Sequence, residues 1–326
     1  MRIAINGFGR IGRTVLRQLL SDHTDIKIAL INDIATIESC AYLFKYDSVF
    51  GPYPEDVRHD GTNLLIGERA IPLTREGDLG ALDLAGVDVV MDCTGTIKTR
   101  DHAAKGLSAG AQNLLISGPC TEAEETLVLG ANEGRMGDAR IVSNASCTTN
   151  ALAPLLRSVH ETLGIARGHM TTIHCYTGSQ PMVDAPRGDF ARSRAGAVSM
   201  VPTTTSATKL IDDVLPDLAG RVTGSAVRVP VISVSAIDAV LQLETPVQGD
   251  GQDYVRQLAA QNPVIGLIED ATVSTDLRAR PESLVIAVPE TIVSNGGQQI
   301  RIFGWYDNEW GFSARMIDMA RLMADR

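Results

Sequence analysis

Cys147 is the residue of this chain best placed to do covalent chemistry. It lies in the segment Asn-Ala-Ser-Cys-Thr-Thr-Asn at 144–150, where small polar neighbours leave the sulfur accessible. Apolar residues at helical spacing follow over 151–163, although Pro154 leaves open whether this predicted helix kinks or begins near the proline. Backbone N–H groups and the helix dipole at a helix start lower the pKa of a thiol. The pattern predicts a thiolate nucleophile, and a small buried cysteine before a core helix is the alternative.

A glycine-rich turn near the N-terminus has the spacing of a dinucleotide-binding site. It follows a short apolar segment, 3–6, and opens a predicted helix over 10–20. In that context the first glycine allows a tight turn, the second lets backbone approach a pyrophosphate, and the third lets helix and strand pack closely. A turn that serves packing alone is the alternative. The predicted cofactor contacts here are Gly7, Gly9, Arg10, Ile11 and Gly12.

Asp33 follows the second predicted strand, 26–31, and lies 21 residues beyond Gly12. A carboxylate at this distance accepts hydrogen bonds from the ribose hydroxyls of the adenosine, whereas it would repel a 2′-phosphate. The sequence therefore favours NAD over NADP as the cofactor. A helix cap or turn residue is the alternative interpretation of Asp33.

Composition narrows the class of protein. The chain has 326 residues, 44% of them hydrophobic, and a net charge of −10. The acidic balance argues against nucleic acid as a partner. No apolar run approaches the ~18 residues of a membrane span, and no signal segment is evident, so we expect a cytoplasmic protein without membrane association. Five cysteines without CxxC spacing predict neither a disulfide framework nor a metal site.

The two halves of the chain differ in pattern. Apolar strand-like runs alternate with helical runs in the first half, which predicts a parallel sheet covered on both faces. After Cys147 longer strands appear, and 235–244 alternates with a period of two, as in an antiparallel sheet backed by helices. The connection 178–200 is long and poor in apolar residues, which is typical of a functional or disordered loop.

Four sequence runs together resemble one family. They are Ala-Ile-Asn-Gly-Phe-Gly-Arg-Ile-Gly-Arg at 4–13, the cysteine segment at 144–150, Thr-Thr-Ile-His at 171–174 and Trp-Tyr-Asp-Asn-Glu-Trp-Gly at 305–311. Through them nearly the whole chain resembles the phosphorylating glyceraldehyde-3-phosphate dehydrogenases. The resemblance implies an α/β fold: a Rossmann domain with a doubly wound parallel sheet, 1–146 and 310–326, and an α+β catalytic domain with a mostly antiparallel sheet, 147–309. It also implies a homotetramer in which the loop 178–200 lies at a subunit interface.

The resemblance assigns the chemistry to Cys147 and His174. Cys147 would add to an aldehyde to give a thiohemiacetal, which donates hydride to NAD and leaves a thioester that inorganic phosphate cleaves. His174 would be the base. The resemblance places Thr94 and Asn308 at the nicotinamide side of the cofactor, and Ser117 is a further predicted cofactor contact.

The resemblance also implies two sites for phosphate groups. Thr177 and Arg228 would hold the phosphate of the phosphorylated aldehyde, because a guanidinium matches a phosphate bidentately. Arg192 and Thr205 would hold the attacking phosphate. Ser146 and Thr148 beside the nucleophile, and Ser206 after the threonine run, are further predicted phosphate contacts. For the threonine run at 203–205, simple capping of the following helix is the alternative.

Several positions depart from the family pattern. Gly178 and Ser179 replace a usual Asn-Asp pair, Ser206 replaces a glycine, Phe312 replaces a tyrosine, and Ala191 reduces an arginine pair. These changes bear on which phosphorylated aldehyde is used. A dehydrogenase of another such aldehyde, for example erythrose 4-phosphate, and a non-catalytic NAD-binding regulator are the alternatives to the triose-phosphate enzyme.

Overall fold

The structure, a computed structural model, describes residues 1–186 and 188–326, so Arg187 in the long loop lies outside it. The described residues form two compact units. The first unit comprises Met1–Leu127, Gly134–Ala145 and Ser313–Arg326. The second unit comprises Val128–Glu133 and Ser146–Phe312. Each unit is built around one sheet.

The first unit contains a nine-stranded sheet. Its strands are β1 (Arg2–Asn6), β2 (Lys27–Asn32), β3 (Val57–His59), β4 (Asn63–Ile66), β5 (Arg69–Thr74), β6 (Val89–Asp92), β7 (Asn113–Ile116), β8 (Glu125–Thr126) and β9 (Ile141–Ser143). The helices that connect its strands are α1 (Arg10–Ser21), α2 (Ile37–Lys45) and α3 (Arg100–Ser108). The strand order is β3-β4-β5-β2-β1-β6-β7-β9-β8, and all pairs are parallel except β3–β4 and β4–β5.

The order of this sheet places a ligand site at the end of β1. The chain leaves β1 for β2 on one side, and β6 occupies the other side, so the direction of winding reverses at β1. In such sheets ligands bind beyond the carboxyl ends of the strands at the reversal. Residues 3–6 of β1 are buried, as expected for a central parallel strand. The predicted doubly wound parallel sheet is confirmed.

The second unit contains an eight-stranded sheet. Its strands are β10 (Ile165–Cys175), β11 (Val201–Thr203), β12 (Val222–Val229), β13 (Ser235–Leu243), β14 (Ile265–Ile268), β15 (Leu284–Ala287), β16 (Ile292–Ser294) and β17 (Gln299–Tyr306). Its helices are α4 (Cys147–Leu163), α5 (Ala207–Val214) and α6 (Gly251–Gln261). The order is β11-β12-β10-β13-β17-β15-β14, with β16 beside β17, and only β10–β12 and β14–β15 are parallel. The predicted mostly antiparallel sheet is confirmed.

The alternating pattern of β13 is realised in its burial. Ile237, Ala239 and Leu241 are buried, whereas Val240 on the opposite face is exposed. Helix α4 packs against β10, β13 and β15, so the buried face of the sheet supports the helix that begins at Cys147. The helix runs through Pro154, which is buried, and begins at Cys147 rather than near the proline.

The last helix, α7 (Trp310–Ala324), has most of its length in the first unit. Met316, Ile317 and Met323 are buried there. Asn113 at the start of β7 donates from Nδ2 to the carbonyl oxygen of Met323 at 3.4 Å. Across residues 1–186 and 188–326, no helix combines the length and the apolar character needed to cross a membrane.

Candidate active site

The turn before Cys147 is conformationally strained. Ala145 is fully buried and has a φ of 54°, a region that a residue with a Cβ rarely adopts. Ser146 then caps α4, because its Oγ accepts from the backbone N–H of Thr149 at 3.1 Å. Strain of this kind, of order 1–3 kcal/mol, persists where the surroundings enforce it and concentrates at functional sites. The turn fixes the sulfur at the first position of the helix.

Cys147 and His174 form a pair. The Sγ of Cys147 lies 3.6 Å from Nε2 of His174, which is the next-to-last residue of β10 and is buried. Nδ1 of the same ring lies 2.7 Å from the carbonyl oxygen of Cys175. In the tautomer in which Nδ1 donates to this carbonyl oxygen, Nε2 presents a lone pair to the sulfur. This tautomer can take a proton from the thiol.

Arg228 lies beside the imidazole because β12 runs parallel to β10 with His174 opposite Arg228. Its Nη1 donates to the carbonyl oxygen of Cys175 at 2.9 Å and lies 2.7 Å from Nδ1 of His174. The positive charge of the guanidinium at this distance repels an imidazolium. Burial, and then the charge of Arg228, lower the pKa of His174 to about 4.

The pKa of Cys147 is raised, against the expectation from its position at a helix start. Burial is the main cause, while the charge of Arg228 and local N–H groups oppose it. Loss of the proton to water is therefore disfavoured. Transfer from Sγ to Nε2 of His174 leaves the net charge of the pair unchanged, so burial opposes it less. We infer that the thiolate forms by transfer within the pair.

Tyr306 supports this pair and was not singled out from the sequence. Its buried hydroxyl lies 2.9 Å from Oγ1 of Thr148 and 2.8 Å from Oγ1 of Thr172, and its ring meets His174 edge-on at a centroid distance of 6.0 Å. The side chain of Thr148 is thus held in place by Tyr306. The hydroxyl of Ser146 is likewise engaged, with Thr149. The position of Tyr306 in the run at 305–311 was the available signal.

The two groups of predicted phosphate ligands differ in arrangement. Arg192 donates to the hydroxyls of Thr203 and Thr204, the latter at 2.8 Å. The Oγ1 of Thr205 accepts from the N–H of Ala207 at 3.1 Å, so it caps the start of α5 as the alternative interpretation expected. Ser206 is the N-cap residue of α5 and makes no side-chain cap bond.

The residues predicted for the aldehyde's phosphate are engaged separately. The hydroxyl of Thr177 lies 2.9 Å from that of Ser179, one of the residues that depart from the family pattern. Arg228 contacts His174 and Cys175 as described above. The structure therefore gives Arg228 a direct contact with the proposed base.

The glycine turn of the first unit fits a dinucleotide. Gly7 has a φ of 93°, and a Cβ there would lie 2.6 Å from the backbone nitrogen of Thr94. A Cβ on Gly12 would lie 2.1 Å from the carbonyl oxygen of Gly7. A Cβ on Gly9, in contrast, would meet nothing within 4 Å. Gly7 and Gly12 are thus required by packing, whereas the open space beside Gly9 is of the kind that lets a pyrophosphate approach the backbone.

Asp33 is linked to the same turn. Its Oδ2 accepts from the N–H of Phe8 at 2.6 Å, its Oδ1 accepts from the N–H of Ala35 at 2.8 Å, and the residue stays partly exposed. A carboxylate has further acceptor capacity for ribose hydroxyls. Arg10 at the start of α1 pairs with Asp47, and Ile11 beside it is partly buried.

A chain of buried polar residues joins the ends of three strands, β2, β1 and β6, and was not predicted. Asn32 donates to Asn6, and Asn6 donates to Asp92, both at 2.7 Å. Oδ1 of Asp92 accepts from the hydroxyl of Thr94 at 2.8 Å. Burial raises the pKa of Asp92. The chain holds the loop after β6 against the glycine turn, and Ser117 at the end of β7 bonds the backbone of Asp92 at 2.9 Å.

Substitutions in the glycine turn should distinguish glycines that are needed for packing from a glycine that is needed for binding NAD. We expect Gly12→Ala to destabilise the fold by about 2–3 kcal/mol, because the methyl group would overlap backbone. Gly9→Ala is the matched control. It should unfold within about 0.5 kcal/mol of the unsubstituted chain yet bind NAD about tenfold more weakly. Urea unfolding and NAD titration measure both, and a Gly9→Ala chain with unchanged affinity would remove the pyrophosphate role.

A dinucleotide-binding sheet together with a cysteine–histidine pair at a helix start defines a thiol-dependent oxidoreductase. Two family models match the chain. "Glyceraldehyde 3-phosphate dehydrogenase, NAD binding domain" matches residues 1–100, and "Glyceraldehyde 3-phosphate dehydrogenase, C-terminal domain" matches residues 146–308. The chain belongs to the glyceraldehyde-3-phosphate dehydrogenase family, and its cofactor is NAD.

Curated relatives are similar over both units. A glyceraldehyde-3-phosphate dehydrogenase of Cereibacter sphaeroides is 43% identical over 99% of this chain and 98% of its own length. That of Pseudomonas aeruginosa is 44% identical over 99% of this chain and 98% of its own length. That of Geobacillus stearothermophilus is 39% identical over 100% of this chain and 99% of its own length.

Proposed function

We propose that this protein catalyses the NAD-dependent, phosphorylating oxidation of glyceraldehyde 3-phosphate to 1,3-bisphosphoglycerate. The observation that carries the proposal is the approach of Sγ of Cys147 to Nε2 of His174, at 3.6 Å, in a chain of this family. A neutral imidazole and a thiol at this distance supply both the nucleophile and the base that oxidation of an aldehyde through a thioester needs.

The first half of the reaction forms the carbon that loses hydride. Nε2 of His174 takes the proton of the Cys147 thiol, and the thiolate adds to the carbonyl carbon of the aldehyde. The resulting oxyanion takes the proton back from Nε2 and becomes the hydroxyl of a thiohemiacetal. NAD, when bound, supplies the acceptor for the hydride. As that hydride leaves, Nε2 of His174 accepts the hydroxyl proton, and the carbon becomes a thioester of Cys147.

The second half releases the product. An oxygen of inorganic phosphate attacks the thioester carbon, a C–O bond forms, the C–S bond breaks, and Cys147 leaves as a thiolate. Because the pKa of His174 is low, the imidazole returns readily to its neutral form between these steps. A base that stays neutral is free to accept each new proton.

We assign the anion sites as the family resemblance suggests. Thr177 and Arg228 hold the phosphate of the aldehyde, and Arg192 and Thr205 hold the attacking phosphate. Ser146, Thr148 and Ser206 are further phosphate contacts. The contact of Arg192 with the threonine run supports the second site, because it joins a guanidinium to the start of helix α5.

The cofactor assignment follows the same logic. The turn formed by Gly7, Gly9 and Gly12 and the start of α1 hold the pyrophosphate, and Asp33 binds the adenosine ribose. Thr94 and Asn308 serve the nicotinamide, and Ser117 is a further cofactor contact. The open space at Gly9 and the partly exposed carboxylate of Asp33 support these roles.

We also propose a cytoplasmic homotetramer. Large apolar side chains in the loop 178–200 are exposed, which suits burial against a second copy of the chain. They are Met182, Val183, Phe190, Val198 and Met200. Size-exclusion chromatography with light scattering tests the oligomer.

The deciding experiment follows NADH formation from glyceraldehyde 3-phosphate with and without inorganic phosphate, with arsenate as a substitute for phosphate. We expect turnover that requires either anion. Turnover that is indifferent to both would contradict the phosphorylating reaction. A parallel assay with erythrose 4-phosphate tests the rival substrate, and faster turnover of that aldehyde would replace the triose in the proposal.

Asp33 is expected to set the choice of cofactor. Asp33→Asn removes the charge that repels a 2′-phosphate, so the preference for NAD over NADP should fall at least about tenfold. Asp78→Asn is the matched control, because Asp78 is an exposed carboxylate of the same unit that pairs with Lys105. Steady-state kinetics with both cofactors measure the effect. An unchanged preference in Asp33→Asn would show that another group discriminates.

A further inference from the structure

Asn308 is held from behind by two buried side chains. Its Oδ1 lies 3.1 Å from Sγ of Cys175 and 3.5 Å from Oγ of Ser235. All three residues are buried. Cys175 ends β10, Ser235 begins β13, and Asn308 follows β17, so three neighbouring strands bring the group together. The mechanism above uses neither Cys175 nor Ser235.

A backbone contact determines which of these side chains donate hydrogen bonds. Oγ of Ser235 accepts from the N–H of Cys175 at 3.1 Å, which leaves the hydroxyl proton of Ser235 to donate. Burial raises the pKa of Cys175 to about 12, so the thiol keeps its proton at neutral pH. A thiol and a hydroxyl thus both donate to Oδ1 of Asn308.

Two donors on one oxygen select one orientation of the amide. A flipped Asn308 would turn its NH₂ group toward Cys175, whose sulfur is a weak acceptor, and both buried donors would lose their acceptor. In the observed orientation the oxygen faces the protein, and the amide nitrogen is left to donate to a ligand.

We propose that Cys175 and Ser235 are positioning residues that orient Asn308 to donate to the carboxamide oxygen of the nicotinamide. This rests on the proposed function, in which Asn308 serves the nicotinamide. A fixed carboxamide fixes the rotation of the ring about its glycosidic bond. Rotation by half a turn exchanges the two faces of the ring, so the pair also determines which face receives the hydride.

The test uses Cys175→Ala, Ser235→Ala, the double variant and Cys175→Ser in the full-length enzyme. We expect the KM for NAD to rise about fivefold in each single alanine variant and more in the double variant. The KM for the aldehyde should stay unchanged. Cys175→Ser keeps a donor and should restore the KM. Cys120→Ala removes a buried cysteine of the first unit and is the matched control.

The second measurement asks which face of the nicotinamide ring receives the hydride, because a purely structural defect would not change that face. With aldehyde deuterated at C1, NMR of the NADH shows which C4 position carries deuterium. We expect one position in the unsubstituted enzyme and both in the double variant. Single-face transfer and an unchanged KM for NAD in the double variant would overturn the inference. An unsubstituted enzyme that does not oxidise glyceraldehyde 3-phosphate with NAD would instead refute the proposed function.

Discussion

Replacement of Cys147 by serine is expected to lower turnover of glyceraldehyde 3-phosphate by at least about 10⁴-fold. A serine hydroxyl is far less acidic than a thiol, so His174 takes its proton to a much smaller extent. An ester at this position would also react with phosphate more slowly than a thioester. Stopped-flow and steady-state measurements of NADH formation test both effects.

Two further measurements make the result specific to the sulfur. The serine variant should still bind NAD, because the glycine turn and Asp33 belong to the other unit. It should also lose the one cysteine that iodoacetamide alkylates rapidly in the unsubstituted protein. Cys120→Ala is the control and should keep both turnover and alkylation. Turnover of the serine variant within tenfold of the original would contradict covalent catalysis by Cys147.

The long helices and strands of this fold can be predicted from their periodic apolar residues, whereas the short strands at the edge of the sheet were not predicted. The runs that form β1, α1, β13 and α7 carry enough apolar residues to show their period. The hairpin of β4 and β5 was not predicted. Its strands are short, and β5 contains Pro72, which is exposed between the buried Ile71 and Leu73. A signal was nevertheless present, since the two-residue turn at 67–68 contains Gly67 at a φ of 55°.

The pairing of Cys147 with His174 could be expected from two sequence runs, but the electrostatics of the pair could not. The runs at 144–150 and 171–174 contain Cys147 and His174. The contact of Arg228 with His174, however, depends on the register between β10 and β12, which no local pattern specifies. Desolvation is likewise a property of the packed site. For this reason the helix start predicts a lowered pKa for Cys147, while the folded protein raises it.

The polar chain from Asn32 through Asn6 to Asp92 illustrates the same limit. Each residue ends a strand that reads as buried and apolar, so each could be taken for a turn residue. Their contacts, at 2.7 Å, arise because parallel strands end at one edge of the sheet. Strand order, rather than composition, turns three separate residues into a support for the cofactor loops.

Replacement of His174 by asparagine is expected to lower kcat by roughly 10²–10⁴-fold, the range of a general base. Asparagine cannot take the proton of the thiol or of the thiohemiacetal hydroxyl. Alkylation of Cys147 should also slow at neutral pH, because the burial that raises the pKa of the thiol remains and the nearby acceptor is lost. His169→Asn is the matched control, since His169 is an exposed histidine of the same strand.

The same substitution should make the fold less sensitive to acid. The pKa of His174 is about 4 in the folded protein and about 6.5 in an unfolded chain, so between these values the unfolded state binds more protons. Stability is therefore lost as pH falls through this window, by about 2 kcal/mol between about pH 7.5 and about pH 5. His174→Asn removes that loss, and urea unfolding at both pH values measures it. Equal acid destabilisation of His174→Asn and the original protein would mean that the imidazole is not held neutral. A neutral base is what the proposed proton transfers require, so this measurement tests the mechanism independently of turnover.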